Sequence, residues 1–185
     1  MKKYFKPIIV MLSIILFCGG LLAILSDVLA VSDSERVQRA INSIYKYEID
    51  NGEQITLVEE IDTDSVDMSE YDAVGTVKNC YKLNNGDYMV LSTGKKGYSN
   101  GKITTYVAID SLCNVKKVVQ HSYSGQTLMS KLGGIYAEYN GKNASDPKSE
   151  FDGIVATGAT YSSHAVSNSV YVALKFAEKV EKSGG

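Results

Sequence analysis

The chain has 185 residues, with 19 lysines and arginines against 21 aspartates and glutamates and a formal net charge of −2. A near-neutral chain without a basic stripe is not typical of nucleic-acid-binding proteins, so nucleic acid is excluded as the expected partner. The sequence has no Cys/His cluster with metal-ligand spacing and no nucleophile–base pair or paired carboxylates. We therefore predict no metal site and no catalytic residues of an independent enzyme.

The N-terminal segment has the features of a membrane anchor. Three lysines precede an uncharged, mostly apolar stretch from Ile8 to Leu25, and about 18 apolar residues are enough to cross a bilayer as a helix. The positive-inside rule places residues 1–7 in the cytoplasm and the rest of the chain outside the cell membrane. The alternative is a signal peptide cleaved after Ala30, although the apolar stretch is longer than usual for one. Both interpretations export the domain.

The next segment connects the anchor to the domain. Residues 32–48 show an apolar stripe at helical spacing, and residues 54–60 favour a short strand. Residues 61–70 are acidic and irregular. We therefore predict a cytoplasmic tip and transmembrane anchor over 1–30, a linker helix and irregular segment over 31–70, and one domain over 71–185.

The first half of the domain alternates strands and turns. Alternate residues from Ile103 to Ile109 are apolar or β-branched, as in a sheet with one covered face. Cys80 and Cys113 form either a disulfide or two separate thiols. The prediction is an α+β fold, in which an N-terminal transmembrane helix precedes one domain with an antiparallel β-sheet and flanking helices. The predicted strands are 72–81, 87–93, 102–110 and 114–122.

The second half of the domain is predicted to be helical at its end. A short helix is expected over 126–132 and a polar loop over 139–150. Apolar residues recur at spacings of three and four from Ala165 to Ala177, which predicts a last helix from about Ser163 to Lys182.

The segment just before this helix offers a phosphate site. Gly158 and Ala159 are small enough for the backbone to approach a ligand closely. Ser162 and Ser163 are typical N-cap residues, and free N–H groups of a first helical turn bind phosphate. The hydroxyl of Thr160 is expected beside that site. The alternative interpretation is an ordinary turn and helix cap.

Thr157-Gly158-Ala159-Thr160 resembles the flavin-attachment motif, (Ser/Thr)-Gly-Ala-Thr, of the FMN-binding-domain family. That family includes the G subunit of the Rnf electron-transport complex and the C subunit of the sodium-pumping NADH:quinone reductase. A second resemblance is the family's central strand pair, which fits Gly97, Tyr98, Gly101, Ile103, Val107, Ile109 and Asp110. Gly97 and Gly101 are also interpretable as ordinary hairpin glycines.

The resemblance implies that FMN is attached to Thr160 through a phosphoester. It also implies cofactor contacts from Thr157, Gly158, Ala159, Ser162 and Ser163. The family often has Glu-Thr-Pro-Gly-Leu-Gly in a loop near the flavin, and this chain departs from it but keeps Leu132 and Gly133. It departs again where the family often has an Asp three residues before the motif. Ile154 stands there, and Asp152 lies two residues upstream.

The resemblance further implies a redox subunit rather than an independent enzyme. The expected role is an extracytoplasmic electron carrier in an Rnf-type ferredoxin:NAD oxidoreductase coupled to ion transport. Its expected partners are the other membrane subunits and a flavin transferase that takes FMN from FAD, because a threonine hydroxyl without a base is a poor nucleophile. The alternatives are a stand-alone flavinylated carrier that feeds an exported reductase and a non-redox exported binding module.

Overall fold

The computed structural model describes residues 10–21 and 33–183. The chain divides into two compact units, one ending at Val37 and the other beginning at Gln38. In the first, residues 10–21 are helical. Within the described ranges, no helix combines the length and the apolarity needed to cross a membrane. The anchor predicted over 1–30 extends beyond residues 10–21 on both sides, and those parts lie outside the described residues.

The second unit is organised around a five-stranded antiparallel sheet with the strand order β1-β2-β3-β4-β5. The antiparallel α+β prediction for the domain is confirmed. β1 lies in the segment predicted as a linker and pairs with β2, so the sheet begins earlier in the chain than residue 71. The strands are β1 (Leu57–Ile61), β2 (Gly75–Leu83), β3 (Tyr88–Gly94), β4 (Lys102–Ile109) and β5 (Val115–Ser124).

Two short helices precede the sheet where one helix over 32–48 was predicted. They are α1 (Asp33–Ile44) and α2 (Lys46–Asp50). The break falls at Tyr45, whose hydroxyl donates a hydrogen bond of 2.7 Å to the buried carboxylate of Asp87. Lys116 pairs with the same carboxylate at 2.9 Å. A buried tyrosine bonded to the residue just before β3 thus takes the position at which the helix would have continued.

Helices α3 (Lys148–Asp152) and α4 (Thr160–Lys182) follow the sheet. α4 packs against β2, β3 and β4, and its apolar side chains form one core with Val90, Val107 and Ile109. The approach is closest at the end of β3. A Cβ atom on Gly94 would lie 1.8 Å from the carbonyl oxygen of Ala165, so the helix rests directly on the strand.

Short 3-10 turns, Met129–Leu132 and Ile135–Tyr139, connect β5 to α3. The helix predicted over 126–132 is therefore reduced to its last residues, and α3 begins inside the loop predicted over 139–150. Cys80 and Cys113 both carry free thiols. Cys80 is fully buried in β2, and this burial raises the pKa of its thiol to about 12.

Candidate functional site

Three loops meet at the start of α4 and enclose a pocket of about 270 Å³. One is the turn between β3 and β4, the second follows β5, and the third leads into α4. The pocket is lined by Tyr98, Thr127, Leu128, Gly158, Ala159, Thr160, Tyr161 and Ser162.

Thr160 is the first residue of α4, which therefore begins three residues before the predicted Ser163. The N-cap position belongs to Ala159, and no side chain caps the helix there. The prediction that Ser162 or Ser163 caps the helix was wrong. The N–H of Ser163 already donates to the carbonyl of Ala159 at 2.9 Å, so the serine lies inside the first turn.

The hydroxyl of Ser163 instead holds the loop that enters the helix. It accepts a hydrogen bond of 2.9 Å from the N–H of Ala156 and donates one of 3.0 Å to the carbonyl of Ala159. The serine is fully buried, so both bonds are shielded from water. The loop over 156–159 is thereby fixed against the helix that it starts.

Gln126 links the turn between β3 and β4, the end of β5 and the first turn of α4 through its buried side-chain amide. Its Oε1 accepts from the hydroxyl of Ser162 at 2.5 Å and from the N–H of Tyr98 at 3.2 Å. Its Nε2 donates to the carbonyls of Tyr98 and Ser124, both at 3.4 Å. Each polar atom of the amide is therefore occupied in positioning the walls of the pocket. The sequence interpretation did not identify this residue.

The side-chain amide of Gln126 also explains why positions 97 and 101 are glycines. A Cβ atom on either glycine would lie 2.3 Å from Nε2 of Gln126. Their φ angles are −73° and −69°, which any residue can adopt. The two glycines thus leave room for a glutamine side chain across the turn, a reason more specific than that of ordinary hairpin glycines.

Gly158 is required by its own backbone and by a neighbouring lysine. Its φ angle of +76° lies in the left-handed region that favours glycine. A Cβ atom there would lie 2.8 Å from Nζ of Lys131. The Lys131 ammonium group therefore rests above the loop two residues before Thr160, where the sequence interpretation did not place a charge.

The predicted cofactor residues divide into two groups. Gly158, Ala159, Thr160 and Ser162 line the pocket. The others do not: Thr157 and Gly133 are exposed outside the lining, Ser163 is buried under the first turn, and Leu132 is buried in the core.

The lining of the pocket is suited to binding rather than to proton transfer. Its side chains include no carboxylate, imidazole or thiol. Tyr98 and Tyr161 keep 48% and 65% of their surface exposed and present aromatic rings beside Leu128. The first-turn N–H groups of α4 and the Thr160 hydroxyl supply a polar end. The pocket therefore offers a flat apolar wall and an anion-binding corner.

Asp152 lies beside a second pocket that shares Tyr161 with the first. Its Oδ1 accepts hydrogen bonds from Lys148 at 2.7 Å and from the hydroxyl of Ser167 at 3.0 Å. Nδ1 of His164 lies 3.9 Å from the same oxygen. The carboxylate thus ties α3 to α4. In the described part of the chain no cluster of His, Cys, Asp or Glu is arranged to hold a metal ion.

Residues 97–175 match the sequence model of the FMN-binding domain. The match begins in the turn before β4 and ends inside α4, so it contains every residue of the pocket lining as well as Gln126 and Lys131. It supports FMN as the cofactor of this region. Comparison with curated proteins gives no match.

Proposed function

We propose that this protein is a membrane-anchored, extracytoplasmic electron carrier with FMN bound covalently to Thr160 through a phosphoester. One observation carries the proposal. Thr160 is exposed at the first turn of a 23-residue helix, in a pocket that lies within the segment matching the FMN-binding domain. When bound, FMN supplies the electron chemistry, and the chain binds and orients it.

The residues around the pocket suit each part of FMN. The N–H groups of the first turn and the close backbone at Gly158 favour a phosphate group at the Thr160 end. The exposed rings of Tyr98 and Tyr161 and the side chain of Leu128 offer the flat surface that an isoalloxazine ring requires. Gln126 keeps these two regions at a fixed separation through its bonds to Ser162 and Tyr98.

Attachment of FMN to Thr160 requires a separate transferase in this proposal. A threonine hydroxyl is a weak nucleophile unless a base activates it, and the side chains that line the pocket include no carboxylate or imidazole. Exposure of Thr160 leaves its hydroxyl accessible to another enzyme. A flavin transferase that uses FAD as the donor is therefore the proposed maturation partner.

We infer that the carrier works as a subunit of an Rnf-type ferredoxin:NAD oxidoreductase, in the cell membrane with its domain outside the cytoplasm. The uncharged stretch from Ile8 to Leu25 after three lysines supports the anchor and its orientation. Purification from native membranes tests the assembly. Membrane subunits in fixed ratio to this chain are expected, and isolation of the chain alone would favour a stand-alone carrier.

The mass of the intact protein from native membranes, with in-gel flavin fluorescence after denaturation, tests the attachment. We expect one added FMN in the wild type, none in Thr160→Ala and one in the control Thr56→Ala. Thr56 is an exposed threonine outside both the motif and the pocket lining. An unmodified wild-type mass would overturn the electron-carrier proposal. Covalent flavin on Thr160→Ala would overturn the attachment site.

A further inference from the structure

We propose that Lys131 is a positioning residue whose ammonium group pairs with the phosphate of the flavin attached at Thr160. This inference rests on the proposed function, because the phosphate is present only when FMN is attached. It adds a charged contact from outside the Thr-Gly-Ala-Thr motif.

The geometry places the ammonium group beside Gly158, a residue of the pocket lining. Lys131 lies in the turn Met129–Leu132, and its Nζ would be 2.8 Å from a Cβ atom on Gly158. Its Cδ and Cε atoms would be 3.9 Å from the same position, so the end of the side chain lies along the loop. The side chain is exposed, and its charge lies beside the backbone two residues before Thr160.

The charge of Lys131 is not neutralised by an acidic side chain among the residues that the structure describes. Lys148, which borders the neighbouring pocket, differs in this respect because Asp152 accepts a hydrogen bond from it. The lining of the Thr160 pocket also contributes no carboxylate. An anion attached to Thr160 would thus meet an uncompensated cation.

A phosphodiester suits this arrangement better than a neutral ligand does. It carries a negative charge, and charge-assisted hydrogen bonds to an ammonium group are roughly twice as strong as neutral ones. The dipole of α4 favours a negative charge at the same end of the helix. The glycine at position 158 also acquires a second role, because any side chain there would displace Lys131.

Lysine reactivity in the flavinylated protein tests the pairing. An amine-acetylating reagent is applied to flavinylated wild type and to Thr160→Ala, and each lysine is followed by peptide mass spectrometry. Pairing with an anion favours the charged, unreactive form of an amine, so we expect Lys131 to react about five- to tenfold more slowly when FMN is attached. Lys78, exposed on β2, is the control and should react equally in both proteins.

Substitution of Lys131 separates a charge contact from a packing contact. Flavinylated Lys131→Met should show a narrower ³¹P resonance, because its phosphate moves more freely, and Lys131→Arg should keep the wild-type line width.

Equal Lys131 reactivity in the presence and absence of FMN would overturn this inference and leave the proposed function intact. An absence of FMN from Thr160 in the mass spectrum would overturn the proposed function itself.

Discussion

The two halves of α4 are attached to the sheet by different forces. From Thr160 to Ser169 the buried side chains are mostly small or hydroxyl-bearing, and they include Ser162, Ser163, Ser167 and Ser169. From Val170 to Val180 the buried side chains are apolar, among them Leu174 and Phe176. The half that carries Thr160 is therefore polar where it meets the sheet, and the other half supplies a conventional core.

Directional bonds fix the first half in position. The hydroxyl of Ser169 lies 2.8 Å from those of both Ser92 and Thr105, in a network that is fully buried. Ser162 bonds to Gln126 on the pocket side. Hydrogen bonds contribute modest net stability but demand specific geometry, whereas apolar burial stabilises without direction. We infer that the first half sets the geometry of the site and the second half sets the stability.

The largest expected effect is that of Phe176→Ala in the apolar half. Phe176 is fully buried, so its truncation should lower the free energy of unfolding by about 3–5 kcal/mol. Urea unfolding measures this loss, with Phe176→Leu as the milder control. The folded fraction should still carry FMN with the wild-type absorption spectrum. A changed flavin spectrum in Phe176→Ala would show that the two halves are not separate in function.

Gly94→Ala should disturb the polar half. The added Cβ would meet the carbonyl oxygen of Ala165 at 1.8 Å and the N–H nitrogen of Ser169 at 2.5 Å, so the strand and helix must separate. We expect a loss of about 3 kcal/mol, at the upper end for an overpacked core, together with a changed flavin spectrum. Gly134→Ala is the control, because nothing lies within 4 Å of its Cβ position. Wild-type stability in Gly94→Ala would contradict the close contact.

The smallest effect is a pH dependence of stability that arises from Glu178 in the apolar half of α4. Glu178 accepts hydrogen bonds from Lys182 at 2.6 Å and Lys175 at 3.1 Å, and these lower the pKa of its carboxyl. A lowered folded-state pKa contributes stability above the unfolded value of 4.5, and that stability is lost as the pH falls through the folded value. Glu178→Gln should therefore cost about 0.5 kcal/mol at neutral pH and less at about pH 3.

Ser169→Ala provides the matched comparison in the polar half. It removes a hydroxyl partner of Thr105 inside the buried network, and a buried polar group left without a partner costs about 1–3 kcal/mol. None of the hydroxyls in that network titrates in the acid range, so the cost should be equal at both pH values. Urea midpoints of both variants test the contrast. An acid-sensitive penalty for Ser169→Ala would contradict it.

The sheet was predictable because its signals are local. Alternating apolar residues such as Ile103 and Val107, together with turn residues at Asn85-Gly86 and Asn100-Gly101, predicted strands β2 to β5 to within a few residues. The two-helix break at Tyr45 was not predictable, because it depends on a hydrogen bond to Asp87 across 42 residues of sequence. The start of α4 was misplaced because Ser162 and Ser163 were interpreted as N-caps. Their hydroxyls instead bond to groups outside the helix, Gln126 and the N–H of Ala156.

By itself the sequence determined the domain class, the resemblance around Thr160 and the amphipathic pattern of the last helix, since each depends on neighbouring residues. Only the tertiary structure brought Gln126 between Tyr98 and Ser162, and Lys131 above Gly158. These contacts join loops that are distant in sequence, and no local periodicity encodes which loops meet. The proposed attachment residue, Thr160, was therefore selected from the chain alone, whereas the walls of its pocket were decided by packing.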